Sequence, residues 1–213
     1  MDYTLLCRIA RSYRAEVANV AFICPIFQMY PAVISSLIAQ TTKTWTLELL
    51  HNGPNPKGLD KTVAGFGDPR IRFRTFPTEA GNYGHPLRRW ALEEMKAGRL
   101  AREAEHVVIT NADNYHAPVF VERLTGALKA NPKAVAAYCS QMVHSYVNWK
   151  VMNCSLARGY IDAAGVMIRR AAAVQAGWRS MEHSSDWTYF SDVIARHGAA
   201  SWVKVEGCLL VHN

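Results

Sequence analysis

From residue 17 onward, short runs rich in Val and Ile alternate with stretches whose apolar residues recur at helical spacing. A chain patterned this way buries both kinds of segment by laying strands side by side and covering the sheet with crossover helices. The first strand is expected at VANVAFICPIF, residues 17–27, with Pro25 at its carboxyl end. Pro31 then opens a helix through PAVISSLIAQT, with Val33, Leu37 and Ile38 on one face. TWTLELLHNG predicts a second strand stopping at His51, Asn52 and Gly53, and IRFRTFP alternates apolar and basic residues as a half-exposed edge strand does. HPLRRWALEEMKAG gathers Leu87, Trp90, Ala91 and Met95 on a helix ended by Gly98. Beyond it come a fourth strand at HVVIT, a helix at PVFVERLTGALKANP and a strand at AVAAYCSQMV. YIDAAGVMIRRAAAVQAGW predicts a strand entering a short helix that Gly177 stops. SSDWTYFSDVIARHG is a last helix capped by Ser184 or Ser185, with Trp187, Phe190, Ile194 and His197 on one face. SWVKVEGCLLVHN closes the chain in one or two strands. The expected organisation is a basic extension over 1–16 and one α/β domain over 17–213, without linker or internal repeat.

A chain of 213 residues buries roughly 70% of its unfolded surface around one core. Half of the residues are hydrophobic and 19% are charged, which excludes disorder and coiled coil. The start, MDYTLLCRIARSYRAEV, carries Asp2 early and breaks its apolar run at Arg8, unlike a signal peptide. No run approaches the ~18 apolar residues of a membrane span, so a cytoplasmic location is expected. Cys7, Cys24, Cys139, Cys154 and Cys208 are scattered and form no CxxC pair, so they read as buried thiols of a reducing compartment. The net charge of +7 admits nucleic acid, an anionic membrane or a phosphorylated substrate as partner. Only residues 8–14, RIARSYR, cluster that charge, so peripheral membrane contact is expected there and nucleic-acid binding is not.

HVVITNADNYHAP, residues 106–118, runs from a buried strand straight into Asn, Asp, Asn, Tyr and His. Asp113 and Asn114 suit a turn, and Pro118 suits a helix start. The same side chains suit a metal or phosphate site, because ligands of open α/β sheets gather beyond the carboxyl ends of the strands.

Taken in order, these segments resemble the family 2 glycosyltransferases of the GT-A fold over nearly the whole chain. ICPIFQ is similar to that family's Ile-Ile-Pro-aromatic-polar opening, and SSLIAQT to its Ser-Leu-x-x-Gln-Thr helix. LLHNGP stands where the family ends a strand in Asp-Asp-Gly-Ser, and GNYGHPLRRW resembles its Asn-x-Gly turn before an Arg-bearing helix. ITNADN takes the place of the Asp-x-Asp motif. AGVMIRRAAAVQAGW resembles the Gly-rich strand, Arg pair and Gly-aromatic turn, and SSDW stands at Glu-Asp. The resemblance implies a single Rossmann-like GT-A domain with a mixed, mostly parallel central sheet flanked by helices. It also implies a nucleotide-diphosphate sugar donor and a glycan or lipid-linked acceptor. On its terms Pro25, Phe27, His51, Asn52, Asn82, Arg89, Asn111 and Ala112 contact the donor nucleotide. Two departures stand out: His51 and Asn52 replace the acidic pair that meets the base, and Asn111 replaces the first acid of the metal motif.

Breaking a glycosidic bond to a diphosphate builds charge on the phosphates, which a divalent cation, Mn²⁺ or Mg²⁺, offsets. Asp113 is the expected ligand. His212 falls where relatives return a late His to the ion, and it reads equally as a strand-end histidine. Inverting transfer needs a base for the acceptor hydroxyl, and Asp186 matches it, with Glu182 as the alternative. Asp186 also reads as a helix N-terminal acid, whose macrodipole would lower its pKa unless burial offsets it. Arg88 competes with its neighbour Arg89 for the donor contact. One of Arg169 and Arg170 could face the pyrophosphate, and one of Trp187 and Tyr189 an acceptor sugar. Two other readings compete: a nucleotidyltransferase making a sugar nucleotide, for which CPIFQMYP lacks the Gly-rich basic loop, and a catalytically weakened sugar-nucleotide-binding domain.

Overall fold

Alternate residues of the first strand serve two different cores. In β1 (Val20–Ile26), Val20, Phe22, Cys24 and Ile26 enter one apolar cluster, while Ala21 and Ile23 enter a second on the opposite face. A strand buried on both faces has to be apolar throughout, which is why this run shows no polar alternation. The computed structural model describes residues 19–28, 31–55, 58–76, 81–145 and 148–212. The expected extension over 1–16, with its basic stretch at 8–14, lies outside the described residues.

β1 pairs in parallel with β2 (Trp45–His51) on one side and β4 (His106–Ile109) on the other, with Val20 opposite both Trp45 and His106. Beyond β2 lies the edge strand β3 (Ile71–Thr75), also parallel. Its Arg72 and Arg74 reach back to Glu48, fully buried on β2, with N–O distances of 3.1 and 3.2 Å. The basic alternation expected for an edge strand therefore also neutralises a buried acid.

The sheet continues from β4 through β8 (Val166–Arg169) to β6 (Ala136–Ser145), β9 (Trp202–His212) and β5 (Tyr115–His116). β8 is antiparallel to both neighbours, β9 runs parallel to β6, and β5 is antiparallel to β9. β7 (Asn148–Met152) pairs antiparallel with β6. One face is covered by α1 (Pro31–Ile38) and α4 (Phe120–Ala130), with α2 (Leu59–Ala64) contributing Val63. The other is covered by α3 (His85–Lys96), α5 (Arg170–Ala176) and α6 (Ser185–His197). The expected architecture, a mixed Rossmann-like sheet between helices, is thus observed.

Differences from expectation are local. β5, β7 and α2 appear where no element was expected; two residues of strand or six of helix carry no readable periodicity. The buried face of α6 is Tyr189, Phe190 and Val193, with the expected Trp187 and Ile194 packed half-buried against the same core, while His197 is exposed. Cys24, Cys139 and Cys154 are buried free thiols, but Cys208 is exposed. No helix among the described residues is long and apolar enough to cross a membrane.

Candidate functional site

The chain travels from β1 outward to β2 and β3, then returns to place β4 on the other side of β1. That reversal leaves a crevice beyond the carboxyl ends of β1 and β4, the place where open α/β sheets bind ligands. Pro25 and Phe27 reach it from β1, and residues 111–113 from β4.

A turn fixes the second rim. Tyr83 and Gly84 both adopt left-handed backbone, φ 53° and 74°, and a Cβ on Gly84 would fall 2.6 Å from Pro25 Cβ. Only glycine lets this turn press against β1. The turn aims the Tyr83 carbonyl at Arg88, the buried arginine of α3, which donates to it from Nη1 at 2.6 Å. Nη1 also donates to His85 Nδ1 at 3.0 Å, and Nη2 donates to Asn111 Oδ1. The guanidinium lies 5.4 Å from the Trp178 ring centre. His85, accepting at Nδ1, carries its proton on Nε2. Burial, helped by the Arg88 charge, pulls its pKa down to about 4, so it is neutral. Arg88 thus keeps its positive charge among neutral hydrogen-bond partners. Asn111, the departure from an acid, is one of them.

Three carboxylates share this region. Asp113 is half-buried in the turn between β4 and β5, and its Oδ1 is buried without a hydrogen-bond partner. Asp113 and Arg88 both act on the fully buried Cys24 thiol, which burial pushes to a raised pKa. Asp186 sits in the first turn of α6, where its Oδ1 accepts the Trp187 N–H at 2.7 Å. Burial raises its pKa, the charge of Asp162 raises it further, and the backbone N–H groups and Arg88 oppose this only in part. Desolvation therefore outweighs the helix terminus, and Asp186 is a stronger base than an ordinary aspartate. Asp162 uses Oδ1 to cap the short turn before β8, accepting from the Ala164 N–H at 2.8 Å. Its Oδ2 faces His212 Nδ1 at 3.8 Å, beyond hydrogen-bond range.

The other expected residues are dispersed. His51 is buried and donates from Nδ1 to the Gly53 carbonyl at 2.9 Å, closing the turn after β2. Asn52 is half-buried with its N–H on the Ile26 carbonyl, Ala112 is buried, and Asn82 forms the turn before α3. Arg89 turns away from the crevice, donating to the carbonyls of Trp178 and Arg179; of the two adjacent arginines, Arg88 is the one in the crevice. Arg169 holds the carbonyls of Ala134 and Leu128, and Arg170 that of Met95, so both tie helices together. Tyr189 is core and Trp187 is half-buried. Glu182 is exposed. Sequence reasoning missed Asp162, whose only local signal is an Asp immediately before a short turn, and ranked Arg88 behind Arg89 because adjacent helix positions cannot be oriented without knowing the helix's packing face.

As a cation site the residues fit in part. Asp113 offers an unpartnered carboxylate oxygen and His212 an unpartnered ring nitrogen. Among the described residues no three His, Cys, Asp or Glu side chains form a ready ligand set. A cation here would need phosphate oxygens or water to complete its shell.

The sheet order and the helices on both faces define a Rossmann-like domain. Neither a family model nor a curated protein matches the sequence. Among solved structures, residues 1–349 of S. aureus TarS superpose with a TM-score of 0.70 at 11% identity, covering 92% of this chain and 60% of that one. The same protein in complex with UDP gives 0.70 at 10% identity over 91% and 60% of the chains, and with UDP-GlcNAc 0.69 at 11% over 91% and 58%. This chain therefore spans about three-fifths of TarS 1–349, and at such identity the likeness is one of fold.

Proposed function

We propose that this chain is the catalytic domain of an inverting glycosyltransferase, of family 2 kind, that moves a sugar from a nucleotide-diphosphate donor to a glycan or lipid-linked acceptor. What supports the reading is the placement of half-buried Asp186 in the first turn of α6 within electrostatic reach of buried Arg88. A base and a charge for phosphate stand together there. The acceptor hydroxyl gives its proton to Asp186 as its oxygen bonds the anomeric carbon. The bond from that carbon to the diphosphate breaks from the opposite face, and the diphosphate leaves with the electron pair. Arg88, whose direct hydrogen-bond partners His85, Asn111 and the Tyr83 carbonyl are all neutral, would offer its charge to the leaving phosphates. A divalent cation, Mn²⁺ or Mg²⁺, held by Asp113 with His212 as second donor, would add Lewis-acid stabilisation of the same charge. The TarS complexes make UDP sugars the first donors to try.

The test is transfer from UDP sugars by the wild type and by Asp186→Asn. The variant should lose at least about a hundredfold in kcat while UDP still raises its melting temperature as in the wild type. Wild-type turnover in the variant would refute the base.

A further inference from the structure

Among the described residues six large apolar side chains are exposed: Phe27, Tyr83, Tyr115, Trp149, Val151 and Tyr160. Phe27 and Tyr83 belong to the crevice rim already described. Tyr115, Trp149 and Val151 lie together elsewhere, on one face of the outer sheet. Tyr115 is in register with Val211, Val211 with Met142, and Met142 with Val151. Register partners carry their side chains on the same face, so these four residues form an apolar row across β5, β9, β6 and β7. Trp149 extends the row, two residues from Val151 on the same strand, with its ring 4.9 Å from that of its partner His144. Across the sheet, the next row is different: His116, Leu210 and Gln141 are all buried. One face is thus core, and the other presents Trp, Tyr and aliphatic groups to solvent.

We propose that this face docks on an anionic lipid surface. Aromatic and aliphatic side chains together suit the boundary between headgroups and acyl chains. The charge matches as well. Lys150, between Trp149 and Val151, alternates to the opposite side of β7, and residues 115–116, 141–145, 148–152 and 208–212 contain no carboxylate to repel anionic headgroups, on a chain of net charge +7. The same charge opposes pairing of two copies through this face. Docking here would hold the crevice at headgroup level, since Tyr115 and Val211 adjoin the segments carrying Asp113 and His212.

Flotation of the full chain with phosphatidylcholine vesicles containing phosphatidylglycerol, without donor or metal, tests this surface. Binding should exceed that to pure phosphatidylcholine and weaken with salt. Trp149→Ser with Val151→Ser should weaken it by on the order of tenfold, whereas Trp149→Phe with Val151→Ile should preserve it. Absence of vesicle binding would overturn the proposal. So would undiminished binding of the serine variant, as when Arg8, Arg11 and Arg14 carry the interaction instead, or a dimer in light scattering that the serine variant dissolves. The readout involves no turnover, so failure of the glycosyltransferase reading would leave it standing.

Discussion

As the proposed base, Asp186 has to be reactive and stable in one place, and the two demands conflict. Its pKa is raised in the fold, first by burial and then by Asp162. As pH falls, the folded chain takes up this proton before the unfolded chain does, so the charged carboxylate costs stability at neutral pH. Asp186→Asn removes that cost, and the melting temperature should rise by about 2–4 °C while transfer is lost. Asp162 acts on the same group from outside. Asp162→Asn should lower the pKa of Asp186 and move the acid limb of the kcat/KM profile to lower pH. An unmoved limb would mean that Asp162 only caps its turn. Little of this was legible residue by residue. Asp186 and Asp113 stood out in the sequence, but the helix terminus argued for a weak base at 186, and only the packing shows that burial outweighs it.

At the scale of elements, two short pieces carry much of the site. The turn before α3 depends on Gly84, whose φ of 74° and 2.6 Å clearance to Pro25 exclude a side chain. Gly84→Ala should cost about 1–3 kcal/mol by urea unfolding and weaken donor binding as well, because the turn aims the Tyr83 carbonyl that holds Arg88. β5, two residues long, buries His116 between Phe22 and Phe120. Burial holds its pKa near 4, against an ordinary value of 6.5. The unfolded chain therefore protonates first on acidification, and stability falls as pH drops from 6.5 towards 4. His85, also held near 4, adds to the same loss. His106 is likewise held low by burial, so His116→Phe should flatten the slope of unfolding free energy between about pH 7 and pH 5 without abolishing it. The long elements were readable because their apolar periodicity repeats; β5 was not, since its partner β9 lies nearly a hundred residues away in sequence.

For the molecule as a whole, donor and cation should depend on one another. The proposed cation ligands are two side chains, Asp113 and His212, and among the described residues no three His, Cys, Asp or Glu side chains form a ligand set, so phosphate oxygens would be needed to complete a shell. Mn²⁺ with UDP should raise the melting temperature by about 5–10 °C at a hundredfold excess over Kd, well beyond the sum of either alone, and Asp113→Ala should abolish the excess. The sequence by itself determined the succession of the long strands and helices and the arrival of Asp113 and Asp186 in segments that can face a ligand. These follow from local periodicity and turn chemistry, which a short window of residues contains. Only the tertiary structure decided that Arg88 rather than Arg89 enters the crevice, that Asp162 stands beside Asp186, and that an apolar row crosses four strands to face solvent. Each depends on which residues distant in sequence become neighbours, and side-chain direction and desolvation are set by those neighbours.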